Sequence, residues 1–186
     1  RFAPGQRCFM IVLRSTGLRS LLGLPAPALT DAQADACGTG VPGAAMLADL
    51  VDRLREAPDF AARCDLVDAG LRQVGVRQPP SAPALAAGAV QRIEATGGRV
   101  GMPDLADALA VSPRTLRRRF LETVGLAPKT FAAVTRFRSV VAALHRHPDR
   151  DWLDLVHHHG YADQSHLGRE FRRFAGRRPS DYRADD

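Results

Sequence analysis

Leu116-x-Arg118-x-Phe120, followed by Gly125, Pro128 and Phe131, occurs a second time as Leu167-x-Arg169-x-Phe171, followed by Gly176, Pro179 and Tyr182. Every matched pair is offset by 51 residues, and Ser112 and Asp163 share that offset. Upstream, Leu105/Leu155 and Ala110/Gly160 are offset by 50. An internal repeat of this kind decides the architecture before any single element is assigned. Each copy reads as a short helix, a tight turn and a longer basic helix, which is the helix-turn-helix pattern. Leu and Phe four apart form the inner face of the second helix, Gly ends that helix, and Pro opens the next.

Outward from the repeat, the pattern stays helical. Ser112-Pro113 and Asp163 are helix starts, with the longer helices spanning about 113–124 and 163–175. Pro128 opens a long helix to about His147, with Phe131, Val134, Phe137, Val141 and Leu144 as its apolar stripe. Shorter helices are expected over Ala84–Thr96, Pro103–Ala110, Asp151–His159 and Pro179–Arg183. Before Gln78-Pro-Pro-Ser-Ala-Pro83, a Pro-rich linker, two amphipathic helices are expected. Met46, Leu47, Leu50, Val51 and Leu54 form the stripe of one; Phe60, Cys64, Val67 and Leu71, after the cap Asp59, form the inner face of the other. Residues 1–42 are irregular, with one short strand expected over Arg7–Arg14. The fold class is therefore mainly α: two helix-turn-helix units joined by a long helix, preceded by a helical connecting region and an irregular or β remnant. The expected divisions are 1–42, the irregular remnant of an N-terminal domain, which the family resemblance given below implies is a sensor; 43–76, two connecting helices; 77–83, the linker; and 84–186, the double helix-turn-helix domain.

Composition narrows the partners. The 186 residues carry a net charge of +6 with 45% hydrophobic residues, a globular balance. Residues 1–82 hold 9 Lys+Arg against 8 Asp+Glu, and residues 83–186 hold 17 against 12. The basic excess lies with the repeat, which points to an anionic partner there. No apolar run approaches the ~20 residues of a membrane span. Cys8, Cys37 and Cys64 are odd in number and form no CxxC pair; reduced thiols in a cytoplasm are expected.

The outer faces of the two longer helices carry the candidate chemistry. Arg114, Arg117 and Arg118 lie at i, i+3, i+4 on one face, where guanidinium groups suit guanine acceptors and phosphate oxygens. In the second copy Gln164, Ser165 and Arg169 occupy the corresponding face, and Gly168 keeps it open. Each helix N-terminus adds unpaired N–H groups for phosphate. Arg172, Arg173, Arg177 and Arg178 are placed to touch the DNA backbone. A run such as Arg117-Arg118-Arg119 is by itself most often a solvated helix face; the paired motif at matched spacing turns the weighting toward DNA.

These residues resemble the AraC/XylS-type transcription regulators. Gly160-Tyr161-Ala162-Asp163-Gln164-Ser165-His166-Leu167-x-Arg169-Glu170-Phe171-Arg172-Arg173, then Gly176-x-x-Pro179-x-x-Tyr182-Arg183, is similar to the family's C-terminal signature. Val111-Ser112-Pro113-Arg114-Thr115-Leu116-x-Arg118-x-Phe120 and Val124-Gly125-Leu126-x-Pro128-Lys129-x-Phe131 resemble its first helix-turn-helix. The resemblance covers about residues 84–183. It implies two recognition helices entering successive major grooves roughly 34 Å apart, with base contacts from Arg114, Arg117, Arg118, Gln164, Ser165 and Arg169 and with His166 beside them. It also implies a bacterial, cytoplasmic regulator of the activator kind that binds double-stranded operator DNA and works with RNA polymerase. A homodimer through the N-terminal portion is a further expectation. The chain opens on Arg1, and Arg1-Phe2-x-Pro4-Gly5 with Leu21-Leu22-Gly23-Leu24-Pro25 resembles the end of a β-rich sensor. One stretch departs from the family pattern: Val156 adds bulk where a small residue is usual, and His157 sets a polar ring at an apolar position.

Three rival readings are weighed against this one. His157-His158-His159, with His145, His147 and His166, invites a metal site, but consecutive helical residues point about 100° apart and cannot face one ion. Partly exposed helix residues are the expectation, with no metal and no cofactor. A DNA-binding part of an alkylated-DNA repair enzyme would need a Cys/His cluster, and Cys8, Cys37 and Cys64 form none; Ser15, Ser112 and Ser165 lack a nucleophile elbow. No catalytic residue is expected. A protein-interaction module that has lost DNA binding is the remaining alternative, and the polar recognition faces argue against loss.

Overall fold

The computed structural model describes residues 9–13, 15–17, 26–30, 44–77, 83–147 and 150–183. A 3₁₀ turn spans Ala26–Leu29. Nine α-helices follow among the described residues: α1 Ala44–Glu56, α2 Phe60–Arg77, α3 Pro83–Ala95, α4 Met102–Asp107, α5 Pro113–Val124, α6 Pro128–Arg146, α7 Trp152–His158, α8 Gln164–Ala175 and α9 Pro179–Arg183. The fold is mainly α, as the repeat implies. Each expected helix forms, within a few residues at either end.

Local chemistry sets the boundaries. Oδ1 of Asp59 accepts from Ala62 N at 2.8 Å and starts α2. Ser112 Oγ accepts from Thr115 N at 3.2 Å, and Asp163 Oδ1 from His166 N at 2.6 Å. The two caps of the repeat thus make the same i+3 bond, satisfying an orphan donor of α5 and of α8. Both helices end on a left-handed glycine, Gly125 (φ 84°) and Gly176 (φ 71°), as C′ positions favour. The turns correspond too: Ala110 (φ 53°) and Gly160 (φ 70°) are both left-handed.

Two hydrophobic cores result. The first joins Ala86, Ala89 and Ile93 of α3, Leu105 and Ala106 of α4, Leu116 and Phe120 of α5, and Ala132 of α6. The second joins Val140, Ala143 and Leu144 of α6, Leu155 and Val156 of α7, and Tyr161, Leu167 and Phe171. Helix α6 therefore serves both. The repeat extends to aromatic geometry. Phe120 meets Phe131 edge-on at 5.5 Å, and their counterparts Phe171 and Tyr182 meet edge-on at 5.7 Å.

Four expectations need correction. Phe9–Leu13, the described part of the strand expected over Arg7–Arg14, forms neither strand nor helix; Arg7, Cys8 and Arg14 lie outside the described residues, as does most of the linker. Phe60 is 69% exposed and Cys64 is exposed rather than inward. The face of α2 that meets α1 is turned toward Val67 and Gly70, with Leu50 at 3.6 Å from the position of a Gly70 Cβ. His157 lies at the surface, and His159 is the buried ring of the triplet. Val156 fits within the second core, because Gly160 turns the chain sharply and Tyr161 N bonds back to Val156 O at 3.0 Å.

His159 Nε2 is buried and makes no hydrogen bond. Burial first, then Coulombic repulsion from His158, Arg150, Arg99 and Arg146, lower its pKa from 6.5 to about 4. Between these values the unfolded chain binds the proton that the folded chain refuses, so stability falls as pH drops from about 6.5 toward 4.

Gly98 (φ 79°) lies against the α6 backbone, where an added Cβ would collide with Ala132 O and sit 2.9 Å from Arg136 N. Gly98→Ala should cost about 2–4 kcal/mol from left-handed strain plus displacement of α6. Gly168→Ala, whose Cβ would meet nothing within 4 Å, should add about 0.5–1 kcal/mol of helix propensity. Urea unfolding midpoints of the two variants check both signs. The same measurement between pH 7 and 5 should show a His159-dependent loss approaching about 1.4 kcal/mol per pH unit, absent in His159→Leu.

Candidate nucleic-acid interface

The caps orient the candidate residues. Ser112 fixes the first turn of α5, so Arg114, Arg117 and Arg118 emerge on one exposed face. Asp163 fixes the first turn of α8, where Gln164, Ser165 and Arg169 are exposed as well. Arg172 and Arg173 are exposed but diverge. Arg172 lines a groove with Trp152, Gln164 and Gly168, whereas Arg173 faces the first unit. Arg177 packs over the Tyr182 ring at 4.6 Å, and Arg178 is exposed.

Between the units runs a cleft of about 620 Å³, lined by Arg117 of α5, Lys129 and Arg136 of α6, and His166, Glu170 and Arg173 of α8. Sequence reasoning missed Lys129, Arg136 and Glu170. Lys129 had a signal, as a cation at the first turn of the helix that Pro128 opens. The other two are eight and six residues into their helices and gain meaning only from each other.

Arg136 and Glu170 form the polar node at the cleft base. Arg136 Nη2 donates to Glu170 Oε1 at 3.4 Å, with side chains 17% and 11% exposed, and Arg136 Nη1 donates to Gly98 O at 3.4 Å. The guanidinium also stacks over the Tyr161 ring at 5.0 Å, a cation–π contact that offsets part of its desolvation. Burial first, then the Glu170 carboxylate, push the Tyr161 phenol well above its ordinary value. His166 is partly turned into this node. Its Nδ1 accepts from Ala162 N at 3.4 Å, and its Nε2 lies 3.7 Å from Glu170 Oε1, a network that assigns the imidazole proton to Nε2. A second tie joins the units: Arg99 Nη1 donates to His158 O at 3.1 Å and Arg99 Nε to Thr96 O at 2.9 Å.

The arrangement presents two capped helix starts with cationic and amide side chains outward, and a cationic cleft between them. Chemically it suits an extended polyanion. Among the described residues no group of three or more His, Cys, Asp or Glu could hold a metal ion, and no helix is long and apolar enough to cross a membrane.

Residues 105–185 match a family described as a helix-turn-helix domain. Over 81 residues the chain is 41% identical to a Streptomyces lividans protein provisionally named an AraC-like transcription regulator, and 38% identical to a similarly named protein of Streptomyces antibioticus. Each match covers 43% of this chain and 26% of the relative, so the chain spans about a quarter of the length of these curated relatives. No solved structure matches the chain. Residues 105–185 form a helix-turn-helix domain.

Removing one partner of the node leaves a buried charge, so Arg136→Met and Glu170→Leu should each cost about 3–5 kcal/mol. The double variant should recover much of that loss, giving a coupling above about 1 kcal/mol in a double-mutant cycle of urea unfolding.

Proposed function

We propose that the chain acts in sequence-specific binding of duplex DNA as part of a transcription regulator, with α5 and α8 entering successive major grooves. One observation carries this reading: the two helices repeat each other in cap, core and terminating glycine, yet differ on their exposed faces. Structural residues are held constant while Arg114, Arg117 and Arg118 are replaced by Gln164, Ser165 and Arg169. A pair of units that reads two different half-sites needs that division. The AraC-like names of the relatives and the helix-turn-helix domain match support it.

In mechanism, Arg114, Arg117 and Arg118 donate to guanine O6 and N7 or to phosphate, Gln164 and Ser165 read base edges, and Arg169 reads guanine. Arg172, Arg173 and the helix starts contact phosphates. His166, held by Glu170, sits at the edge of the second face. The reading divides the chain into the DNA-binding region 84–186, the connecting helices 43–76, the linker 77–83 and a sensor remnant 1–42. RNA polymerase and a second copy of the chain are the further partners of this proposal, with no catalytic step and no cofactor. The reading places the protein in the cytoplasm.

Selection from a random duplex pool should return a bipartite motif with half-sites about one helical turn apart. Arg118→Ala and Arg169→Ala should each weaken binding to that motif by about 1–3 kcal/mol and relax preference in one half-site only. Unchanged affinity and preference in both variants would remove these contacts from the interface.

A further inference from the structure

The two units are alike internally but are not treated alike by the rest of the chain. In the first, Gly125 is buried, and its carbonyl accepts a hydrogen bond from Thr30 Oγ1 at 3.1 Å. A Cβ at Gly125 would lie 2.6 Å from Thr30 Oγ1 and 3.2 Å from the Ala26 carbonyl. In the second, the matching Gly176 is exposed, and a Cβ there would meet nothing within 4 Å. The internal cap bonds are the same, Gly125 N to Leu121 O at 2.9 Å and Gly176 N to Arg172 O at 3.1 Å. The repeat therefore supplies its own control: the difference is the 3₁₀ turn Ala26–Leu29 with Thr30, seated on the end of α5.

The seat is built. Ala26 is 5% exposed. Thr30 N donates to Pro27 O at 3.4 Å, which fixes the turn, and the single Thr30 hydroxyl proton is shared between Gly125 O at 3.1 Å and the turn's own Ala26 O at 3.3 Å. The same N-terminal part approaches the first unit's scaffold again. Leu13, Ser15 and Thr16 border a cavity of about 560 Å³ opposite Val90 and Glu94 of α3 and Arg138 of α6.

We infer that residues 26–30 are a strap that braces the first recognition helix alone, making the first half-site answer to the N-terminal part of the chain while the second does not. Helix α5 has 12 residues and behaves as a short rigid rod about 18 Å long. Holding its C-terminal carbonyl sets the pose of Arg114 at the other end and of Arg118 midway along it. Bracing favours the pose in the structure, so release of the strap weakens that half-site. The half-site consequence rests on the DNA-binding reading; the brace itself does not.

Deuterium exchange on the whole chain tests the brace. Thr30→Val removes the donor at nearly constant volume, and Ala26→Arg expels the turn. Amides at the end of α5, Phe120–Gly125, should exchange about two- to tenfold faster in Thr30→Val, and faster still in Ala26→Arg. Those of Phe171–Gly176 should keep their rates. Unchanged α5 exchange in Ala26→Arg, or equal acceleration of both helices, would overturn the brace. Footprints on the selected duplex should show protection lost at the first half-site only. Faster α5 exchange with unaltered first half-site protection would overturn the coupling. Local exchange effects in a chain that binds no duplex would uphold the brace and sink the DNA-binding reading.

Discussion

Helix α6 belongs to both cores, and the placement of every candidate residue follows from that. Ala132 packs into the first core and Val140, Ala143 and Leu144 into the second, about 12 Å further along the axis at 1.5 Å per residue. The first core takes one of its buried residues from this helix and the second takes three. The stretch between the two cores holds Arg136, a charge at a depth where burial is costly. Its cost is offset from three directions, by the Gly98 carbonyl, the Glu170 carboxylate and the Tyr161 ring. Those partners come from the α3–α4 turn, from α8 and from the turn before α8. A hydrophobic residue in place of Arg136 would pack without choosing among neighbours. The guanidinium accepts one relative placement of the two units, which is how a buried ion pair contributes specificity rather than net stability.

Arg99 acts on the same joint from the surface. It caps the α3 end through Thr96 O and reaches across to His158 O, and its stem lies where a Gly160 side chain would project. Burial first, and then His158, Arg150, Arg99 and Arg146 around it, favour the neutral form of the His159 ring at this joint.

The helical architecture was legible because the repeat compares the chain with itself. Leu116/Leu167 and Phe120/Phe171 share an environment, so an uncertain reading of one copy is corrected by the other. The caps were legible for a local reason, since a side chain three residues from its amide needs no tertiary information. The exposed candidate faces are local too, as helical spacing alone brings Arg114, Arg117 and Arg118 together. What was not legible depended on distant partners. Phe60 and Cys64 fit an apolar stripe, but among the described residues that face of α2 meets little beyond the Phe9 ring, 5.6 Å from that of Phe60. Arg136 and Glu170 read as ordinary helix charges 34 residues apart, and nothing local signals that they meet. The 3₁₀ turn lies in a stretch that composition marks only as irregular.

Similar frames with different faces also imply different electrostatics at the two helix starts. The first unit has a neutral cap, Ser112, ahead of three arginines, so the partial positive charge of the helix start adds to theirs. The second has an ionisable cap, Asp163, whose carboxylate accepts from His166 N and offsets the same partial charge. Beyond that cap stand an amide and a hydroxyl before the first arginine. Under the proposed reading the first helix draws most of its affinity from charge and the second from hydrogen-bond geometry. The two terms differ in reach: screened charge acts over about 8–10 Å, whereas a base-edge bond forms only in register. On that reading a joint held by Arg136 and Arg99 makes these terms cooperative: a first helix drawn into a groove would bring the second to a fixed distance and angle, where its polar side chains either find their base edges or do not.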